Sequence, residues 1–211
     1  MIRVVTIDRE YGSGGPDIAK KLADRLGWKL WDQLLTTEVA RLMDCDARIV
    51  EEREERKDPL RYRLFKAFMR GSLEGSLNAP RIKMADAECI REITQRIVVD
   101  AAKTGNSVIV GRGSAYYLYG KPDVFHVFIY APVDEKVSRL RQTGKSEAEA
   151  LELAETVDRD RAAYIKQYFN VEWPARHLYD IMINSAAGDD RVVETIADAL
   201  AVFQKQPAKA T

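Results

Sequence analysis

The chain has 211 residues, 46% of them apolar, and its 33 basic residues balance 33 acidic ones. That length suits one domain with room for a small insert. The zero formal charge excludes a broad footprint on nucleic acid or an anionic membrane, so any anion site must come from local placement of Arg, Lys and backbone N–H groups. Cys45 and Cys89 make neither a disulfide framework nor a zinc pattern, and no apolar run reaches the ~18–20 residues of a membrane span. With a strand rather than a leader at its start, the protein is expected to be cytoplasmic.

In chain order, "IRVVTI" (2–7) is an apolar run without strict alternation, as strands buried on both faces read. "DREYGSGGPDIAKKL" (8–22) then gives strand, glycine-rich turn and helix. Ile18, Ala19, Leu22, Ala23 and Leu26 share one helical face, and Gly27 stands at the C-cap. "WKLW" (28–31) is a second strand. Residues 45–80 break the pattern with a charge run and a Gly/Ser/Pro-rich exit. They read as a helical insert, either a surface hairpin or a substrate-covering element carrying Arg53, Arg56, Arg61 and Arg63. Ile82, Ile90, Ile93, Ile97 and Ala101 mark a helix ending at "TGN". "SVIV" (107–110) and "VFHVFIY" (124–130) are strands, with His126 a core residue and His177 on the surface. Pro132 opens a helix at its first position, Asp134 and Glu135 favouring its first turn. "SEAE" (146–149) is a capping box for a helix to about 168, and 143–170 reads as a lid-like segment. "DIMIN" (180–184) is the fifth strand. The last helix carries Val192, Val193, Ile196, Leu200 and Phe203, and "KQPAKAT" is expected to be a disordered tail. Strands alternating with helices predict an α/β domain over 1–204 around a parallel five-stranded sheet.

Four places carry chemistry. "YGSGG" lets the backbone curl so that several N–H groups and a helix start face one anion. Gly12, Ser13, Gly14 and Gly15 form a phosphate loop or, in the plainer reading, a sharp β–α turn; the strand and helix around it favour the former. The signature GxxxxGK[ST] is incomplete, because Gly15 stands where the lysine is expected and Pro16 follows. "VIVGRG" places Arg112 at a strand's carboxyl end, where ligands of open α/β sheets sit. It grips a phosphate or carboxylate, or is an exposed turn arginine. In "VDRDRAAYIKQYF", Asp158 and Arg161 fall on the apolar stripe of Leu151, Ala154, Ile165 and Tyr168. Arg159 and Arg161 reach a triphosphate, or Asp158 and Arg161 pair internally. Arg139 and Arg141 add charge or cap the preceding helix. Asp32 orients an acceptor hydroxyl or a magnesium-bound water, or is a helix N-cap.

These stretches, with "VFIYAP" and "DIMINSA", resemble the cytidylate kinase-like proteins, from residue 2 to about 200. The resemblance implies a three-layer P-loop NTPase-type fold with an acceptor-binding insert and a lid. It also implies transfer of the γ-phosphoryl of ATP to CMP or dCMP, with Mg²⁺. By position, Gly12 to Gly15 form the phosphate loop, Asp32 is the acidic residue after the second strand, and Arg112 holds the acceptor phosphate. Arg159 and Arg161 are lid arginines, and Asn184 lies near the adenine. The chain departs from cytidylate kinases in lacking the loop lysine, in Pro16, and in Val110, where an aspartate helps hold magnesium. Of the cations able to stand in, Arg9, Lys20 and Lys21, helix geometry turns the two lysines away. The rival readings are a kinase of another small acceptor and a non-catalytic nucleotide-binding module.

Overall fold

The computed structural model describes residues 1–32 and 87–205. The expected insert at 45–80 and residues 206–211 lie outside them. Within them, the strands are β1 (Val4–Arg9), β2 (Lys29–Trp31), β3 (Ser107–Val110), β4 (Val124–Tyr130) and β5 (Ile181–Asn184). The helices are α1 (Gly15–Leu26), α2 (Ala87–Thr104), α3 (Ser114–Tyr117), α4 (Val133–Gln142), α5 (Glu147–Phe169) and α6 (Asp189–Lys205).

The strands form one sheet in the order β2-β3-β1-β4-β5. All four pairings are parallel, so every strand ends at the same edge. Parallel neighbours need crossovers, and the crossover helices cover both faces. On one face α1 and α6 bury Ile18, Leu22, Val192 and Ile196 against Val5, Ile7 and Val127. On the other, α2 and α5 bring Ile97, Val98, Tyr164 and Ile165 onto Val4 and Ile109. The start of α5 packs with Leu140 of α4 and with Tyr11, through Ala150, Ala154 and Val157. This is the parallel α/β sheet that the alternating pattern predicts, in the three-layer P-loop arrangement that the resemblance implies.

Local signals set the element ends. Ser146 Oγ accepts from Glu149 N (3.3 Å) and the Glu149 carboxylate accepts from Ser146 N (3.1 Å), completing the capping box. Gly27 closes α1 at φ 65°, the left-handed region that favours glycine.

Several boundaries differ from expectation. β1 runs two residues further, to Arg9, because Phe128 and Ile129 of the long β4 offer backbone partners to Asp8 and Arg9 beyond the apolar run. Pro132 is the N-cap of α4 rather than its first residue. Leu151 of the expected stripe is 44% exposed, whereas Ala154, Arg161 and Ile165 are buried as expected and Ala150, Val157 and Tyr164 join them. Phe203 stays largely exposed, touching Phe125 edge-on at 5.0 Å, and Lys205 is helical rather than part of the tail.

Candidate phosphate-binding site

β1 delivers the loop 10–14 to the carboxyl edge of the sheet. Gly12 (φ 78°) and Gly14 (φ 75°) are left-handed, as the turn back into α1 requires. Gly14 is the N-cap of α1 and, being glycine, gives the first amides of that helix no side-chain cap. They and the positive helix end therefore remain for an anion. A Cβ at Gly12 would stand 3.1 Å from Lys136 Cβ and 3.2 Å from Lys136 O, so α4 rests directly on the loop. The Ser13 hydroxyl, expected as a phosphate donor, donates instead to the Glu10 carbonyl at 2.8 Å and shapes the turn.

Three guanidiniums are buried at this edge: Arg9 at the end of β1, Arg112 after β3, and Arg161 on α5. Arg112 is not an exposed turn arginine. It sits in three consecutive left-handed residues, Gly111 (φ 61°), Arg112 (φ 59°) and Gly113 (φ 70°). A left-handed backbone costs a non-glycine residue about 1–2 kcal/mol. Arg112 feels the charges of the other two. Burial, chiefly, pulls the pKa of Arg112 down to about 10; Asp32 opposes this, and Arg9 and Arg161 add to it. At neutral pH the group remains a cation.

Arg161 Nη1 donates to the Arg9 carbonyl (2.7 Å) and to Asp158 Oδ1 (3.1 Å). Its Nε and Nη2 are buried with no partner among the described residues. The internal pair is therefore formed, yet half of the guanidinium fork remains for an acceptor, and a buried donor left unmet costs about 1–3 kcal/mol. Asp158 also accepts from the Tyr11 backbone N–H at 2.8 Å, tying α5 to the loop. Lys136 joins Asp158 (3.3 Å) to Glu10 (2.7 Å). Burial raises the Asp158 pKa despite Arg161 and Lys136.

The other candidates are placed apart from this cluster or at its margin. Asp32 is buried, and its charge is the leading opposite charge felt by Arg112. Arg159 is exposed on the outer side of α5. Asn184 ends β5, where its side-chain oxygen accepts from Ala186 N (2.9 Å) and caps a short 3₁₀ turn. Lys20 pairs with Asp24 (2.9 Å) and Lys21 with Asp190 (2.8 Å), both away from the loop as helix geometry implies. His126 is a core residue whose Nδ1 bonds Thr6 Oγ1 at 2.7 Å and whose Nε2 is buried without a partner among the described residues.

Lys136 carries structure that the sequence reading passed over, and Arg139 does more than cap its helix. The guanidinium of Arg139 lies against Gly14 and donates to Asp189 (2.8 Å) and to the Ser185 carbonyl (3.5 Å). With Lys21, Gly188 and Asp189 it lines a cleft of about 540 Å³. The available signal was spacing: 136, 139 and 140 are i, i+3 and i+4 on one face of α4.

An uncapped helix start, three buried guanidiniums and unmet Arg161 donors fit a phosphate chain. Among the described residues no three His, Cys, Asp or Glu side chains converge as a metal cage. Val110 lies in the core. Asp8 is engaged by Tyr179 OH (2.8 Å) and Trp173 Nε1 (3.2 Å), and Glu10 and Asp158 by Lys136. Magnesium keeps several waters and needs only one or two carboxylates beside phosphate oxygens, a need that Asp32 fits.

A family model described as the cytidylate kinase-like family matches residues 4–187. Cytidylate kinase of Ignicoccus hospitalis is 31% identical over 105 residues, 48% of this chain and 59% of that one. Cytidylate kinase of Methanosarcina mazei is 29% identical over 82 residues, 38% of this chain and 46% of that one. The chain thus spans about half the length of the curated relatives it matches. An uncharacterized protein from Eubacterium ventriosum has a similar crystal structure, with TM-score 0.66 at 24% identity over 94% of this chain and 97% of that one. Shikimate kinase from Acinetobacter baumannii in complex with shikimate gives TM-score 0.55 at 14% identity over 98% and 97%. These structural likenesses speak for the fold alone. With the family match running over the loop, the GRG turn and α5 alike, the chain belongs to the cytidylate kinase-like family.

Proposed function

We propose that this protein transfers the γ-phosphoryl group of ATP to a nucleoside monophosphate, with CMP or dCMP as the acceptor to try first. One observation carries the reading: Arg9, Arg112 and Arg161, all buried, gather beside the uncapped start of α1 at the sheet edge where ligands of such folds bind. Phosphoryl transfer asks a protein mainly for positioning and for positive charge around the migrating group. Family membership and relatives called cytidylate kinase support the choice of acceptor.

In this reading the loop amides and Arg161 hold the phosphate chain of ATP, and Arg112 holds the acceptor phosphate. Arg159 approaches when the 143–170 segment closes as a lid, and Asn184 borders the base. Asp32 holds a magnesium-bound water. Magnesium, when bound, supplies charge neutralisation across the phosphates. Burial of the arginines keeps water from weakening their hold and suppresses loss of phosphate to hydrolysis.

The test is ATP consumption by the purified protein with Mg²⁺, across CMP, dCMP, UMP, AMP, GMP and no acceptor, with products identified by mass. CDP or dCDP as the main product is the expected result. Turnover with none of these overturns the nucleotide acceptor. A second reading, nucleotide binding without turnover, is favoured by two observations: Pro16 offers no hydroxyl to a metal, and Val110 is core. ATP binding with no product on any acceptor would establish it.

A further inference from the structure

We infer that the phosphate loop has not lost its cation but exchanged it: Arg9 and Gly15 are a reciprocal swap of the glycine and lysine that begin and end the loop signature. The inference deepens the kinase reading above and rests on it for the ligand. The signature is G-x-x-x-x-G-K-[ST]. Gly14, the left-handed N-cap of α1, fixes the register as its second glycine. The position after it, where lysine is expected, is then Gly15. The position five before it, where the first glycine is expected, is Arg9.

The structure gives the reason why these two positions change together. Gly15 is the first residue of α1 and is not among the residues with positive φ, so its backbone does not require glycine. Its space does. A Cβ built on Gly15 would stand 2.6 Å from Arg9 Cγ, 2.8 Å from Arg9 Cβ and 3.4 Å from Arg9 Cδ. These are atoms of the stem, close to the backbone, and they cannot swing aside as a side-chain tip does. Two Cβ atoms at 2.8 Å do not coexist, so one of positions 9 and 15 must be glycine. A lysine at 15 demands glycine at 9, and an arginine at 9 demands glycine at 15. The Arg9 stem therefore crosses the start of α1 where a side chain at 15 would begin. Its guanidinium then continues to Gly111, against which Nη1 lies, and its charge is felt by Arg112. The exchange moves the cation from the helix start to the last residue of β1, held in register by pairing with Ile129. Arginine also suits the longer path, since its planar fork meets phosphate oxygens two at a time.

The test uses the full chain with Arg9→Gly, Gly15→Lys, Arg9→Gly/Gly15→Lys and Arg9→Ala/Gly15→Lys. Two readouts are taken: the melting midpoint without nucleotide, and ADP binding by calorimetry. Gly15→Lys alone is expected to lower the midpoint by about 3–10 °C, the effect of overpacking in a domain of this size. Arg9→Gly alone is expected to weaken ADP binding by about tenfold or more, as loss of a charged hydrogen-bond donor does. The Arg9→Gly/Gly15→Lys protein recovers both, whereas Arg9→Ala/Gly15→Lys, which keeps the clashing Cβ, does not recover the midpoint. If Gly15→Lys fails to fold, a folded Arg9→Gly/Gly15→Lys protein is the same positive result. Midpoint shifts that simply add overturn the exchange, with or without nucleotide. ADP binding that survives Arg9→Gly unchanged overturns the cation role alone. No ADP binding by the unaltered protein overturns the kinase reading and the cation role with it.

Discussion

Two charged regions of this molecule are built from the same residue types and behave as opposites. At the sheet edge, Glu10, Lys136, Asp158 and Arg161 form a chain of contacts, with Lys136 and Arg161 almost wholly enclosed. Across the outer seam of α1 and α6, Lys21 meets Asp190 at 2.8 Å and Arg25 meets Glu194 at 3.1 Å, all in contact with water. The distances are alike; the surroundings are not. Water already solvates the seam charges, so pairing changes little, and salt screens what remains. At the edge, Lys136, Asp158 and Arg161 have given up most of their water and depend on their partners. The same chemistry is surface decoration in one place and a fastening between α4, α5 and the loop in the other.

The sharpest way to break this comparison is to remove the hub. Asp158→Ala leaves Lys136 and Arg161 short of a counter-charge and strips the Tyr11 N–H of its acceptor. Deleting one partner of a buried pair costs about 3–5 kcal/mol, and chemical denaturation of the variant should show a loss of that order. A loss below about 1 kcal/mol would mean that water reaches the network and that both regions obey the same rule. Arg161→Ala is expected next, with a different profile. It should lower kcat by about 10²-fold or more while the protein still folds, since the proposed function assigns the unmet Nε and Nη2 to the phosphate chain. Unchanged turnover would reduce Arg161 to a structural partner of Asp158.

How much of this was legible in the sequence depends on which physical signal each part leaves. The five strands leave apolar runs, most of them without alternation, and all five lie within about two residues of where those runs place them. The α1 face, Gly27 and the capping box at Ser146 are local signals and are found where they are read. The site is another matter. In "DRDR" both arginines read as reaching a triphosphate, and only Arg161 falls on the apolar stripe; the structure encloses Arg161 and leaves Arg159 facing solvent, on an inner face that includes Val157 and Tyr164 and leaves out Leu151. Lys136 and Arg139 were harder to see, since a lysine and an arginine on a charged helix read as its wet face. Only the approach of α4 to Gly12 and Gly14 turns that face inward. The reason for Gly15 was illegible altogether: it is a contact between side-chain stems six positions apart, which no periodicity records.

A milder probe is pH. His126 is held below its usual pKa, mainly by burial, with Asp180 opposing. A folded pKa below the unfolded value of about 6.5 means that the unfolded chain binds the extra proton first. Stability carried by His126 is therefore present above pH 6.5 and is lost as pH falls from there through the folded value. Asp158 has the opposite sign. Its folded pKa lies above the usual carboxylate value, so its contribution is favourable in acid and is lost as pH rises through that folded value. Melting midpoints of the unaltered protein should fall below pH 6.5. His126→Gln should flatten that slope, and a slope unchanged by it would assign the titration elsewhere.

The smallest effects belong to the seam. Arg25→Ala breaks the contact with Glu194, and both partners are more than half exposed. The expected result is a melting midpoint indistinguishable from that of the unaltered protein, at low and at high salt. Arg159→Ala extends the same logic to α5. Its side chain faces water in this arrangement, so the midpoint should again stay where it is. Its effect on turnover then isolates closure, because a residue that contributes nothing to the resting fold can lower kcat only by reaching the site when the helix moves. A fall in kcat at constant midpoint would make Arg159 the moving counterpart of the fixed Arg161. Unchanged kcat and midpoint together would leave α5 with one functional face, the buried one.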